Sequence, residues 1–154
     1  MVLQMSRTTA RIAAMQMIFE RVSGGQGGEE TLQMVYGELR EHGLPGNKKI
    51  DGREPDEEDR EYISRAFDGV LSHREEIDEL IGKTSQGWPI ERMSLVDLTI
   101  LRLAVWEILY EPSIPGSVSI SEAIALTECY SDPEDKGFVN GILGTILRSC
   151  EAES

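Results

Sequence analysis

Between Ser94 and Tyr110 the chain reads S-L-V-D-L-T-I-L-R-L-A-V-W-E-I-L-Y. Leu95, Leu98, Leu101, Val105, Ile108 and Leu109 recur at helical spacing and form one stripe, while Ile100, Leu103 and Trp106 lie off it. A helix that is apolar on all sides is stable in water only when other elements surround it. The segment therefore predicts a central helix inside a bundle. It is no membrane span, because its most apolar part, Ile100 to Tyr110, is interrupted by Arg102 and Glu107. That part also falls short of the ~20 apolar residues a bilayer requires.

The remaining segments supply the helices that would surround it. Ser6 is a candidate N-cap for a helix to about Val22, whose Ala10, Ala13, Ala14, Met17 and Ile18 face inward. The run Ser23 to Gly28 carries four glycines, ends that helix and reads as a flexible linker. A second helix spans about Glu29 to Glu41, with Leu32, Val35, Tyr36 and Leu39 inward. Gly43 to Pro55 reads as loop. Pro55 and the carboxylates of Asp56 to Asp59 then suit a helix start, where negative charge meets the positive end of the dipole. That stripe continues through Ile63, Ala66, Phe67 and Val70 to Ile77, Leu80 and Ile81, with a bend near Ser72. Gly82 to Trp88 reads as a connection, and Pro89 as the opening of a short turn. Ser119-Ile120-Ser121-Glu122 has the form of a capping box and predicts a helix from Ser119 to Tyr130. A last helix runs from about Phe138 to Ser149. Strand-like alternation is confined to Val118–Ser121, so the expected class is all-α. The 154 residues amount to about one domain, 1–154.

Charge narrows the function. Fifteen basic residues stand against 28 acidic ones, a net of −13, the wrong sign for a chain that holds nucleic acid with its whole surface. The first 22 residues are the exception at +2, with Arg7 and Arg11 four positions apart on one side of the helix, beside its buried stripe. Two such arginines could span neighbouring phosphates, but the sequence alone favours ordinary solvated arginines, because two cations contribute little phosphate affinity at physiological salt. Catalysis finds little support. His42 and His73 sit in polar surroundings, and neither is spaced to pair with Cys129 or Cys150. The glycine run lacks the Gly-Lys-Ser/Thr ending of a phosphate loop, and the acidic run from Glu54 to Glu61 lacks the order of a calcium loop. No metal or cofactor is expected. The two cysteines form no metal or redox motif, and the opening residues lack a secretory pattern, so a cytoplasmic setting is expected. Asp97 and Arg102, inside the apolar helix, must pair, reach water or meet a partner.

Five segments in order resemble the NusB family of transcription antitermination factors. They are Ala10–Phe19, Phe67–Val70 with Ile77–Ile81, Ile100–Glu107, Val118–Ile124 and Phe138–Leu143. The resemblance implies about seven helices in two packed sub-bundles and a non-enzymatic role. That role is pairing with NusE, which doubles as a small-subunit ribosomal protein, and binding single-stranded boxA RNA within the transcription elongation complex during rRNA synthesis. By the same resemblance Arg7, Arg11, Asp135 and Phe138 would meet RNA, and Phe19 and Asp97 would meet NusE. The chain departs from the family pattern in ways that bear on RNA affinity. Its arginine cluster is thinner, Phe19 replaces a common tyrosine, and Thr127-Glu128 stands where alanine–lysine is expected. The loop Ser131 to Gly137 is about one residue shorter than usual, which leaves either Asp135 or Glu134 as the RNA-side acid. Whether Lys48 and Lys49 join that surface stays open. Two other readings remain: a protein-binding scaffold with little RNA affinity, and the NusB-like domain of an RNA cytosine methyltransferase.

Overall fold

The computed structural model describes residues 2–43 and 54–152, and side chains from Arg7 onward. Seven α-helices and two 3-10 turns, with no strand, make up the regular structure of the described residues. Chain contacts divide into two compact units, Met1–Asp68 and Gly69–Ser154.

The first unit contains α1 (Val2–Val22), α2 (Glu29–His42) and most of α3 (Glu57–Ser72). The expected inward residues of α1 and α2 are all buried, joined by Ile12 and Met15. Ser6 is not the N-cap. The helix already begins at Val2, because Leu3, Gln4 and Met5 are good helix formers that let the first turn extend backwards. The capping box of this unit lies elsewhere, at the start of α3. Asp59 N–H donates to Asp56 Oδ1 at 2.8 Å, and Asp56 N–H donates to Asp59 Oδ2 at 3.2 Å. Two backbone donors at the helix start are thereby satisfied reciprocally.

The glycine-rich connection between α1 and α2 is fastened rather than a free linker. Glu20 Oε1 accepts from Gly27 N–H at 3.3 Å, its Oε2 accepts from the Thr31 hydroxyl, and Arg21 donates to the Gln26 carbonyl at 3.4 Å. The Thr31 bond comes first, and the Gly27 amide next, in holding the Glu20 carboxyl below its ordinary pKa. Gly27 has φ +64° and is buried, and a Cβ there would collide with the Met17 carbonyl. Lys48 and Lys49 lie outside the described residues.

The second unit takes in the end of α3, α4 (Arg74–Thr84), α5 (Leu95–Tyr110), α6 (Gly116–Tyr130) and α7 (Lys136–Ala152). Helix α5 packs on α4, α6 and α7, and every residue from Asp97 to Glu107 is buried. The expectation of a central helix holds. Ser94 caps it, its Oγ accepting from Asp97 N–H at 3.1 Å. Its closest approach is at Gly69, where a Cβ would strike the Trp106 indole. The bend expected near Ser72 is a break at His73, and Ile90–Arg92 forms a 3-10 turn after Pro89.

The expected capping box at Ser119 does not form. Helix α6 starts one turn earlier, directly after Pro115, so Ser119 is already interior to it. Its buried hydroxyl instead donates to Glu107 Oε1 at 2.7 Å, satisfying part of a carboxyl only 1% exposed. Val118–Ser121 is accordingly helical, not a strand. Arg102 is settled as well. Its Nε and Nη2 donate to the two oxygens of Asp78 on α4, at 2.8 and 2.9 Å.

Candidate functional site

Helix α1 carries the cationic end of the first unit. The Arg7 guanidinium lies 4.8 Å from the ring centroid of Tyr62 on α3, and that of Arg11 lies at 5.8 Å. Both distances are within reach of the ring's negative face. The two arginines differ in exposure. Arg7 is half-buried, whereas Arg11 is 4% exposed and belongs to the buried face rather than beside it. The i, i+4 spacing brings both to one ring, and the fully buried Tyr62 could not be found from the sequence. Its position in the α3 stripe reads simply as core. Phe19, three turns along α1 from Arg7, is half-buried.

The second unit holds Asp97, Asp135 and Phe138. Asp97, in the first turn of α5, is 4% exposed, and Ser131 donates its hydroxyl to Oδ1 at 2.5 Å. Asp135 closes the 3-10 turn Pro133–Asp135, which Asp132 caps by accepting from Glu134 N–H at 2.9 Å. The Asp135 carboxyl lies within hydrogen-bonding reach of that of Asp97. This contact, then burial, then the charges of Asp97, Asp132 and Glu134 push it up to about 6. Of the two candidate acids in this loop, Asp135 is partly buried against α5 and Glu134 is exposed. Phe138 is half-buried in the first turn of α7, beside the fully buried Val139. Glu128, in place of an expected lysine, accepts from Lys136 at 2.9 Å and ties α6 to α7. The structure thus joins Arg7 with Arg11 and Asp97 with Asp135, and Ser131 is a member of the second group that no sequence signal marked.

One open cleft of about 650 Å³ is lined by Leu71, His73, Arg74, Glu76 and Tyr110, among others. His73 stacks on Tyr110 with centroids 4.3 Å apart, and the Tyr110 hydroxyl donates to Glu76, which raises the phenol's pKa. No cysteine lines this cleft, so the Cys–His pairing weighed from sequence is not made there. Among the described residues no group of histidine, cysteine and carboxylate side chains is arranged to hold a metal, and no helix is long and apolar enough to cross a membrane.

Residues 8–148 match the family described as the NusB family. The chain belongs to the NusB family. Among NusB relatives, the "Transcription antitermination protein NusB" of Clostridium botulinum (strain Kyoto / Type A2) is 36% identical over 143 residues, 93% of this chain and 100% of that protein. Among solved structures, T. maritima NusB shares 30% identity and a TM-score of 0.69, covering 92% of this chain and 90% of that one. The NusB fold is also matched by a crystal structure of antitermination factors NusB and NusE in complex with dsRNA. That match has 27% identity and a TM-score of 0.71, covering 94% of this chain and 97% of that one. NusB relatives are named as antitermination factors, and that name describes a binding role rather than a catalysed reaction.

Proposed function

We propose that this chain is a cytoplasmic transcription antitermination factor. It pairs with NusE and binds boxA-type single-stranded RNA within the elongation complex during rRNA transcription. The observation that carries the reading is its likeness, over 94% of its length, to an antitermination factor solved together with NusE and double-stranded RNA. Its charge supports a division of labour. Helix α1 has the largest positive balance of any described helix, +2, so phosphate contact falls to Arg7, with Arg11 and Tyr62 behind it fixing the angle at which the first guanidinium is presented. Phe138 offers a ring for an unpaired base and Asp135 a carboxyl for base-edge amines, the usual means of reading single strands. Phe19 and Asp97 meet NusE, an acidic group on a strongly acidic chain suiting a basic partner. Residues 1–154 act as one NusB-like domain in this reading.

A salt-dependent titration with boxA-like RNA, with and without NusE, tests it. The isolated protein should bind weakly, with a log–log salt slope near −1 to −2, since each neutralised phosphate on a single strand contributes about −0.7. NusE should raise the apparent affinity by adding its own cationic surface. The net charge of −13 favours one rival, a protein scaffold without RNA contact. RNA binding that is absent even with NusE present would select that rival.

A further inference from the structure

We propose that Trp88 is the apolar anchor by which the partner that meets Asp97 holds this chain, its indole being presented outward by a strained and fastened turn. The inference rests on the reading of NusE as that partner and adds to it the residue that supplies the largest single contact.

Among the described residues three large hydrophobic side chains are exposed: Met34, Trp88 and Tyr110. Tyr110 is engaged within its own unit, stacked on His73 and bonded to Glu76. Met34 projects from α2, and one exposed apolar residue on a regular helix is ordinary. Trp88, 46% exposed, has neither explanation. It ends the turn from Ser85, whose two central residues both have positive φ, +43° at Gln86 and +84° at Gly87. Glycine takes that conformation freely and glutamine does not. Gln86 is the one non-glycine residue with positive φ among those described.

The turn is fastened on both sides. Ser85 N–H donates to the Ile81 carbonyl at 2.9 Å and ends α4. Its hydroxyl lies 2.7 Å from the Trp88 carbonyl and 3.1 Å from that of Gly82, as a donor shared between them. After Trp88, Pro89 restricts the backbone, and Arg92 N–H closes the 3-10 turn on the Pro89 carbonyl at 2.9 Å. Ile90 lies against Gly82 of α4, and Met93 is buried. The residues around Trp88 are thus seated on the fold while its indole stands in water. Burial of the indole therefore does not offset the strain at Gln86, and a strained backbone that displays a costly side chain points to recognition.

Position selects the occupant. Asp97 is 4% exposed, so it offers a partner the edge of a carboxylate and little area. A stable interface needs a desolvated centre, and tryptophan is enriched among the residues that carry binding energy. Trp88 and Asp97 are nine residues apart, at most about 30 Å of extended chain, and the 3-10 turn shortens that span. A standard interface covers about 800 Å² of each partner, a patch roughly 32 Å across, so one partner can cover both residues. The fixed turn also leaves little freedom to lose on docking. An RNA base is the other occupant an indole suits, but Glu91, exposed beside Arg92, offsets the cation that a phosphate would follow.

The test labels the full chain with 5-fluorotryptophan and adds unlabelled NusE, with affinities measured by calorimetry. The chain has two tryptophans, and Trp106 is 3% exposed, so the two fluorine resonances separate a surface probe from a core one. NusE should shift the Trp88 resonance and abolish its sensitivity to solvent deuterium, leaving Trp106 in place. Trp88→Ala should weaken NusE binding by at least about tenfold with Tm unchanged, and Trp88→Phe should recover part of the loss. NusE binding with an unmoved Trp88 resonance would overturn the inference, as would wild-type affinity in Trp88→Ala. A shift produced by a boxA-like oligonucleotide alone, and not by NusE, would give the indole to RNA and overturn it equally. If wild type failed to bind NusE in calorimetry, the partner reading would fall and the inference with it, an outcome distinct from binding that bypasses Trp88.

Discussion

The Arg102–Asp78 pair allows a stability prediction whose order of effects is unusual. Arg102 is 3% exposed on its side chain, and its two bonds to Asp78 leave the third guanidinium nitrogen, Nη1, buried without a hydrogen-bond partner. Asp78 is different, with 23% of its side chain exposed and Arg74 at 3.9 Å on the same helix. Asp78→Ala therefore strands a buried cation, which costs about 3–5 kcal/mol at fully buried sites and about 3 kcal/mol here, because water can reach the vacated side. Arg102→Met removes both the buried charge and the unsatisfied nitrogen. It leaves Asp78 with water and Arg74, so the cost should stay near 1 kcal/mol. The double variant should resemble Arg102→Met and be more stable than Asp78→Ala alone. For a chain of this size each kcal/mol moves Tm by about 2–4 °C, so Asp78→Ala should melt roughly 6–12 °C below wild type. Thermal unfolding followed by circular dichroism, supported by urea titration, measures all four proteins. The reasoning fails if Arg102→Met is as damaging as Asp78→Ala, or if the double variant is the least stable of the set. A cation serving a partner would show a different signature, with NusE affinity lost and stability kept.

Four further outcomes follow from the same geometry. Ser119→Ala should cost about 1–2 kcal/mol in urea unfolding, because it removes a donor from the buried Glu107 carboxyl; a loss within experimental error would mean that bond is idle. Arg7→Ala should flatten the RNA salt slope by about 0.7 with little change in Tm, whereas the buried Arg11→Ala should lower Tm as well; equal behaviour of the two would contradict their different exposures. Phe138→Ala should weaken boxA-like RNA by roughly 1–3 kcal/mol, the share of one stacked base, measured by filter binding after its fold is checked; full retention would remove Phe138 from the RNA surface. Asp135 is raised from 3.8 to about 6 in the folded chain, so the folded state holds its proton more tightly than the unfolded one. Its contribution is complete below pH 4 and is lost as pH rises to about 6, so Asp135→Asn should flatten the stability profile over that window in pH-dependent urea unfolding.

Hydrophobic spacing alone was enough to locate α5, because a segment apolar on every face has one stable environment. The inward residues of α1 and α2 followed from the same periodicity. Local capping signals were less decisive. Ser119-Ile120-Ser121-Glu122 has every feature of a helix start, yet Pro115 fixes a backbone angle suited to helix entry and begins α6 a turn sooner. The buried Glu107 then claims the hydroxyl. Asp56 and Asp59, read only as a solvated acidic start, form the reciprocal cap instead. Spacing put Arg11 beside the α1 stripe, but a ring from α3, far along the chain, turns that side of the helix into an interior. The Asp97–Asp135 contact was beyond reach for the same reason. Each residue reads as an isolated acid until the fold brings α5 and the turn before α7 together.

The clasp at Glu20 bears on how this chain tolerates change in length. Glycine-rich connections are where insertions usually cost least, since lengthening a free loop adds little closure entropy. Here the carboxyl of one residue reaches an amide seven positions on and a hydroxyl eleven positions on, and the buried, left-handed Gly27 has one place to sit. The segment between them is counted rather than slack. An extra residue between Ser23 and Gly27 would force a choice between the Glu20 bonds and the seating of Gly27. The stretch that a tag or reporter would most naturally be threaded into is thus one where its register with α1 is already fixed.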